Sequence, residues 1–320
     1  MSSLDLSDLL DVPDLPKYLA KVDQEIAKSI KSEAKLIQKP IARLMEAKGK
    51  RLRPSLVIAV ASNLNSKINQ PTIKAAAAIE IVHIASLIHD DIIDHAATRR
   101  GLPTISAEEG VDHAILVGDF LFAKAYELAA SISSEVGAIV ATTITRLCEG
   151  ESLELEVQYD LNRPINNYFK TINNKTAALF AAACRVGVLT TKASKRQMKA
   201  YADFGENFGI AFQIIDDVLD FVAKEKIVGK PVGNDVAEGV YTLPLLLALD
   251  SPNSNTYKNL VETQSKHELA DRLIGDGHLA TAILRAKAYC KSAQQTICNL
   301  DDNLANFPAA YTELVLAKIF

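Results

Sequence analysis

Residues 72–94 read TIKAAAAIEIVHIASLIHDDIID. Wound as a helix, this stretch is apolar on nearly every face from Ile73 to Ile88, with only Lys74, Glu80, His83 and Ser86 interrupting it. A helix that is apolar all round cannot lie on a surface, so it must be enclosed by other elements. The remaining sequence offers helices for the purpose. YLAKVDQEIAKSIKSEAKLIQKPIARLMEA, starting at Tyr18, is amphipathic, and Pro40 is expected to break or bend it. PSLVIAVASNLN opens on Pro54, which suits a first helical turn. Helical spacing predicts further helices over 111–131, 134–157, 166–189, 194–221, 240–249, 256–274 and 278–299. Strand alternation is nearly absent and no hairpin signal is found. The expected fold is all-α, a helical bundle in one domain.

Composition excludes several functions. The chain has 320 residues, is 48% hydrophobic and carries a formal charge of -4. That acidity argues against nucleic acid, whose phosphates call for a basic face. Cys148, Cys184, Cys290 and Cys298 form no CxxC pair and no zinc-ligand spacing with histidine, so reduced, buried thiols in a cytoplasmic protein are expected. The acidic N-terminus MSSLDLSDLLDVPDLPKYLA does not read as a secretory signal. No uncharged apolar run reaches about 18 residues, so no membrane span is expected.

The apolar helix ends in DDIID, and QIIDDVLD repeats that ending at Asp216, Asp217 and Asp220. Residues four apart share a helix face, so Asp90 stacks with Asp94 and Asp216 with Asp220, with Asp91 and Asp217 beside them. Both clusters lie near helix C-termini, where the macrodipole disfavours anions. Packed carboxylates also repel one another. A hard divalent cation answers both problems. Magnesium takes one or two carboxylates and completes its shell with water and phosphate oxygens. One such cluster would be an ordinary solvated helix end about half the time; two, each behind an apolar helix, are not easily dismissed.

Basic loops supply the complement. GKRLRP holds Lys50, Arg51 and Arg53; RRG holds Arg99 and Arg100; NNKTA holds Lys175 and Thr176; GKPVGND holds Lys230. Arginine grips phosphate oxygens bidentately and lysine acts as a point charge. Alone, each loop is unremarkable. No GxxxxGK[ST] or GxGxxG occurs, so no nucleotide-type glycine loop is present.

From GKRLRP to TLPLLLAL, which ends at Leu249, the order and spacing of these motifs resemble the trans-isoprenyl diphosphate synthase (polyprenyl synthetase) family. DDIIDHAATRRG is similar to the family's first aspartate-rich motif with its arginine pair. FQIIDDVLDF and GKPVGND are similar to its second motif and lysine loop. The resemblance implies an isoprenoid-synthase-type antiparallel bundle around a central cavity, as one domain over 1–320 with its motif-bearing core at about 49–249. It implies that Lys50, Arg53, His83 and Arg100 hold isopentenyl diphosphate. Arg99, Lys175, Thr176, Gln213 and Lys230 would hold an allylic diphosphate. Asp90, Asp91, Asp94, Asp216, Asp217 and Asp220 would hold magnesium, as three ions. Two departures stand out. Val240 in EGVYTLPL occupies a position where the family often has lysine, and Glu154 stands where many members have glutamine.

The implied activity is condensation of isopentenyl diphosphate with farnesyl or geranylgeranyl diphosphate in a water-excluding pocket, by a homodimer or with a small second subunit. Ala85 and Ser86 lie about one turn before Asp90. Small residues there would leave a product tunnel open, predicting six or more isoprene units, with Phe120 and Phe122 as candidates for a deeper floor. The alternatives are a short-chain geranylgeranyl or farnesyl synthase, a terpene cyclase, a non-catalytic subunit and an acidic helical scaffold. DDVLD argues against the cyclase, whose second motif is usually of an Asn/Ser/Glu type. Retention of all six aspartates argues against the non-catalytic subunit.

Overall fold

The computed structural model describes residues 6–46, 49–64, 67–222, 233–300 and 302–317. Lys230 and most of its loop lie outside them. In chain order the helices are α1 (Leu6–Leu10), α2 (Leu15–Ser29), α3 (Lys35–Glu46), α4 (Leu52–Asn63), α5 (Gln70–Ile93), α6 (Ile105–Glu109), α7 (Val111–Ala130), α8 (Ser134–Leu155) and α9 (Ile165–Ile172). They continue as α10 (Ala178–Leu189), α11 (Lys195–Val222), α12 (Asn234–Ala237), α13 (Leu243–Leu249), α14 (Ser254–Glu262), α15 (Lys266–Gly275), α16 (His278–Ile297) and α17 (Asp302–Leu316). The fold class is all-α, as expected.

Five local expectations are corrected. The first long amphipathic stretch breaks at Ile30–Ala34, while Pro40 lies inside α3. Ser32 explains the break: its N–H is taken by Gln38 Oε1 and its hydroxyl accepts from Ala34 N–H, so the local polar groups are satisfied outside a helix. The segment 166–189 is not one α-helix, because Asn173–Ala177 form a π-turn between α9 and α10. The segment 256–274 is two helices, parted at Gln264 with φ 53°. A final helix, α17, was not anticipated. A two-residue ribbon pairs β1 (Thr98–Arg99) with β2 (Leu102–Pro103). Its loop is Arg100 at φ 53° and Gly101 at φ 79°, the both-positive pattern of tight hairpins. Arginine at the first loop position carries none of the usual Asn or Asp signal.

The chain forms two compact units. The first comprises the described residues of Met1–Thr145, Leu179–Gly205 and Ile297–Leu304. In it α5 packs against α2, α4 and α7. Residues Ala75–Ile79, Ile81, Val82 and Ala85 are all 0% exposed. The alanine run permits close helix approach, and Asn69 caps the N-terminus by accepting from Thr72 N–H. By length and composition α5 would pass as a membrane span, but 67% of its apolar window is buried inside the protein, as in a core helix.

The second unit comprises Arg146–Ala178, Glu206–Thr296 and the described residues of Ala305–Phe320. Its core gathers Tyr168, Ile214, Val218, Leu245, Tyr257 and Leu273, none above 1% exposed. The thiols are only partly as expected: Cys184 and Cys290 are buried, but Cys148 is exposed and Cys298 intermediate.

Candidate active site

In the first unit, α4 begins directly after Arg51, whose backbone is left-handed at φ 53°, ψ 32°. Its guanidinium turns inward, with Nε 2.9 Å from Asp23 and Nη1 2.7 Å from Glu80. Arg51 therefore braces the loop from within, unlike its neighbours in GKRLRP. Lys50 is exposed. Arg53 lies with its guanidinium 4.4 Å from the Phe180 ring centre and Nη1 3.4 Å from His83 Nε2. A β-carbon on Gly49 would lie 2.9 Å from Arg100 Nη1, so the bare glycine lets Arg100 fold back onto the GKRLRP loop. His83 is held well below the usual imidazole range, by burial first and then by Arg53, Arg100, Arg99 and Arg51. Thus Arg53, His83 and Arg100, named from separate motifs, come together.

The first aspartates sit at the C-terminal end of α5. Asp91 is 7% exposed and accepts from Arg99 Nε at 2.6 Å. Asp90 is half-buried and Asp94 exposed. The hairpin carrying Arg99 and Arg100 is what turns the first back onto Asp91. Beside it a small cavity is lined by His83, Ile84, Leu87, Ile88, Asp91 and Arg99, among others. Ala85 and Ser86 are not part of that lining. Ala85 is fully buried, while Ser86 is half-buried and donates to the His83 carbonyl at 2.9 Å. Phe122 packs edge-on against His89, with ring centres 5.5 Å apart, and Phe120 lies beside Lys124.

In the second unit, Asp217 is 3% exposed and accepts from Tyr168 Oη at 2.5 Å and from Gln213 Nε2 at 2.8 Å. Gln213 Oε1 in turn accepts from Thr176 Oγ1 at 2.6 Å. Three residues from three motif positions thereby form one chain of hydrogen bonds. Burial pushes the Asp217 carboxyl up to about 7, with Asp216 and Glu154 adding repulsion against the lowering by Tyr168 and Gln213. Asp235, of GKPVGND, is raised well above the carboxylate range by burial and then by Asp220, Asp217, Asp216 and Glu154. Its backbone N–H donates to Asp220 Oδ2 at 3.3 Å. Asp216 is exposed and Asp220 half-buried.

Lys175 belongs to the π-turn. Its ammonium is 2.8 Å from Glu151 and 2.5 Å from Glu154, both on α8. A β-carbon on Gly150 would lie 2.5 Å from the Lys175 backbone nitrogen, so this glycine is needed for α8 to approach the turn. Arg146, one turn earlier, donates to Asn174 Oδ1 and to the Asn173 carbonyl. Single-turn π segments inside α-helices are frequently found at functional sites. Sequence reasoning missed Tyr168, Asp235 and Arg163. Arg163 is 5% exposed and donates to the Tyr241 carbonyl and Thr171. The aspartate in GKPVGND was the one available signal.

Magnesium takes only one or two carboxylates and completes its shell with water and phosphate oxygens. Among the described residues no three His, Cys, Asp or Glu side chains are arranged around a common metal position. Crowded carboxylates that raise one another's pKa are nevertheless hard oxygen donors short of positive charge. They fit a cation that completes its shell with water and phosphate.

Known proteins resemble this chain over most of its length. The polyprenyl synthetase family matches residues 34–274. Component 2 of the heptaprenyl diphosphate synthase of Geobacillus stearothermophilus is 38% identical over 72% of this chain and 72% of its own. The geranylgeranyl diphosphate synthase of Saccharolobus solfataricus is 35% identical over 84% and 81%. The crystal structure of a Caulobacter crescentus CB15 polyprenyl synthase complexed with calcium and isoprenyl diphosphate superposes with a TM-score of 0.88 at 31% identity, covering 100% of both chains. The chain therefore belongs to the polyprenyl synthetase family of trans-isoprenyl diphosphate synthases.

Proposed function

We propose that residues 1–320 work as one polyprenyl synthetase domain that condenses isopentenyl diphosphate with farnesyl or geranylgeranyl diphosphate into a long-chain trans-polyprenyl diphosphate, in the cytoplasm. The observation that carries this reading is the chain Thr176–Gln213–Asp217, which joins the residues expected for the allylic diphosphate to one expected for magnesium. Lys50, Arg53, His83 and Arg100 would bind isopentenyl diphosphate. A neutral His83 can donate one hydrogen bond to it without adding charge. Arg99, Lys175, Thr176, Gln213 and Lys230 would bind the allylic diphosphate.

Asp90, Asp91, Asp94, Asp216, Asp217 and Asp220 would hold magnesium, as three ions, which when bound withdraws charge from the allylic diphosphate and makes it a better leaving group. The basic residues assigned to the allylic diphosphate would stabilise the charge that develops as the allylic carbon–oxygen bond breaks. The double bond of isopentenyl diphosphate attacks the resulting allylic cation. The proton it then loses goes to the departing diphosphate, so no side-chain base is required.

Small residues at Ala85 and Ser86 support long products over the geranylgeranyl alternative, although neither lines the cavity beside Asp91. A homodimer is favoured by α7, whose Val111, Ile115, Leu116 and Tyr126 are 49%, 43%, 53% and 49% exposed. The Geobacillus relative is named as one component of its enzyme, which supports a second subunit as the alternative. The test is a product assay. Purified chain, magnesium, labelled isopentenyl diphosphate and farnesyl diphosphate should yield linear products of six or more units, with activity lost to a chelator and restored by magnesium. Products stopping at four units would retain the chemistry and overturn the length. No elongation from any primer would overturn the self-sufficient enzyme.

A further inference from the structure

Two carboxylates flank the Lys175 ammonium, at 2.8 Å and 2.5 Å. One would neutralise it; the second gives the trio a net charge of minus one. The arrangement is built in. Glu151 and Glu154 are three apart on α8, so they share a helix face. Gly150, immediately before them, lets the backbone of the π-turn close onto α8. Arg146 holds that turn through Asn173 and Asn174. All three charged side chains are largely enclosed, Lys175 being 26% exposed, Glu151 14% and Glu154 16%. Their attraction is therefore weakly screened by solvent. Glu154 also reaches further, adding negative potential at Asp217 and Asp235.

We propose that Glu154 is a positioning residue that competes with the allylic diphosphate for Lys175 and so sets the affinity for that substrate. The inference rests on the reading of Lys175 as an allylic-diphosphate ligand. A dianionic or trianionic diphosphate meets Lys175 only by sharing or displacing a carboxylate already within hydrogen-bonding distance. A glutamine at 154 keeps the shape and the hydrogen bond but removes the competing charge. The trio then becomes neutral and the lysine is released toward phosphate. The effect belongs to one substrate: isopentenyl diphosphate is assigned to other residues and should not sense it.

The experiment compares wild type with Glu154→Gln and Glu151→Gln in steady-state kinetics at saturating magnesium, varying farnesyl and isopentenyl diphosphates separately. Calorimetric titration with magnesium and inorganic diphosphate, and melting curves, accompany them. The expected result is a KM for farnesyl diphosphate lowered about threefold to tenfold in each variant, the scale of one partly enclosed charge pair. Inorganic diphosphate should bind correspondingly tighter, and the KM for isopentenyl diphosphate should stay within about twofold. An unchanged or raised KM for farnesyl diphosphate in Glu154→Gln, with a melting temperature as in wild type, would overturn the inference. So would an equal fall in both KM values. Wild type that binds neither farnesyl diphosphate nor inorganic diphosphate would instead overturn the functional reading, and the inference with it.

Discussion

Arg51 Nη1 lies 2.7 Å from Glu80 Oε1, joining the residue before α4 to the middle of α5. Glu80 is 4% exposed, and the Arg51 side chain is 10% exposed in a left-handed backbone. A guanidinium that looked in sequence like one more phosphate contact is thus turned to hold the loop bearing Lys50 and Arg53.

Removing one partner of that pair leaves the other charge buried. Glu80→Ala is expected to lower unfolding free energy by about 3 kcal/mol or more, read from urea denaturation. Asp23, the other partner of Arg51, has a side chain 34% exposed, so Asp23→Ala should cost about 1 kcal/mol or less. Equal effects of the two would contradict this division of labour.

His83 titrates below its ordinary range because it is buried among Arg53, Arg100, Arg99 and Arg51. The folded protein therefore takes up the proton less readily than the unfolded chain. Its contribution to stability is complete above the unfolded value of about 6.5 and is lost as pH falls below it, toward the lower folded value. Wild type should lose stability between about pH 6.5 and 5 more steeply than His83→Gln, by at most about 1.4 kcal/mol per pH unit. Denaturation midpoints across that range would show the difference, and parallel curves would exclude it.

Gly150 faces the backbone of Lys175 with no room for a methyl group. Gly150→Ala must push α8 and the π-turn apart, costing about 1–3 kcal/mol. Because the displaced atoms belong to Lys175, activity measured at a temperature where the variant stays folded should fall at least about tenfold, a loss of about 1.4 kcal/mol in transition-state stabilisation. Activity within about twofold of wild type would mean that the position of the turn does not matter to the reaction.

Product length offers a separate test. Ala85 is fully enclosed, so Ala85→Phe should disturb folding before it informs on length. Ser86 is half-buried, and Ser86→Phe is the informative change. It should shorten the longest product seen by chromatography, with the rate of the first condensation changed less than about threefold. An unchanged product distribution would remove Ser86 from the determinants of length.

Helix content and the placing of the acidic clusters could be read directly from TIKAAAAIEIVHIASLIHDDIID and QIIDDVLD, because both depend on local periodicity and on charge crowded at helix ends. Thr176 and Gln213 are different: only the family resemblance assigned them to one ligand, and the fold joins them by a hydrogen bond. Other features needed the tertiary fold. The direction in which Arg51 turns depends on Glu80, 29 residues away. The π-turn at Asn173–Ala177 depends on a glycine and an arginine of α8, and nothing within NNKTA marks it. Tyr168 carries no acidic or basic signal, yet it donates to Asp217 because α9 and α11 enter one core. Glu154 was visible as a departure from the family pattern, but its consequence was not, since a carboxylate acquires one only from the cation set against it. Sequence alone determined which chemical groups this protein possesses and on which helices. Folding decided which charges meet, because ion pairing and desolvation act through distances of a few ångströms that chain order does not record.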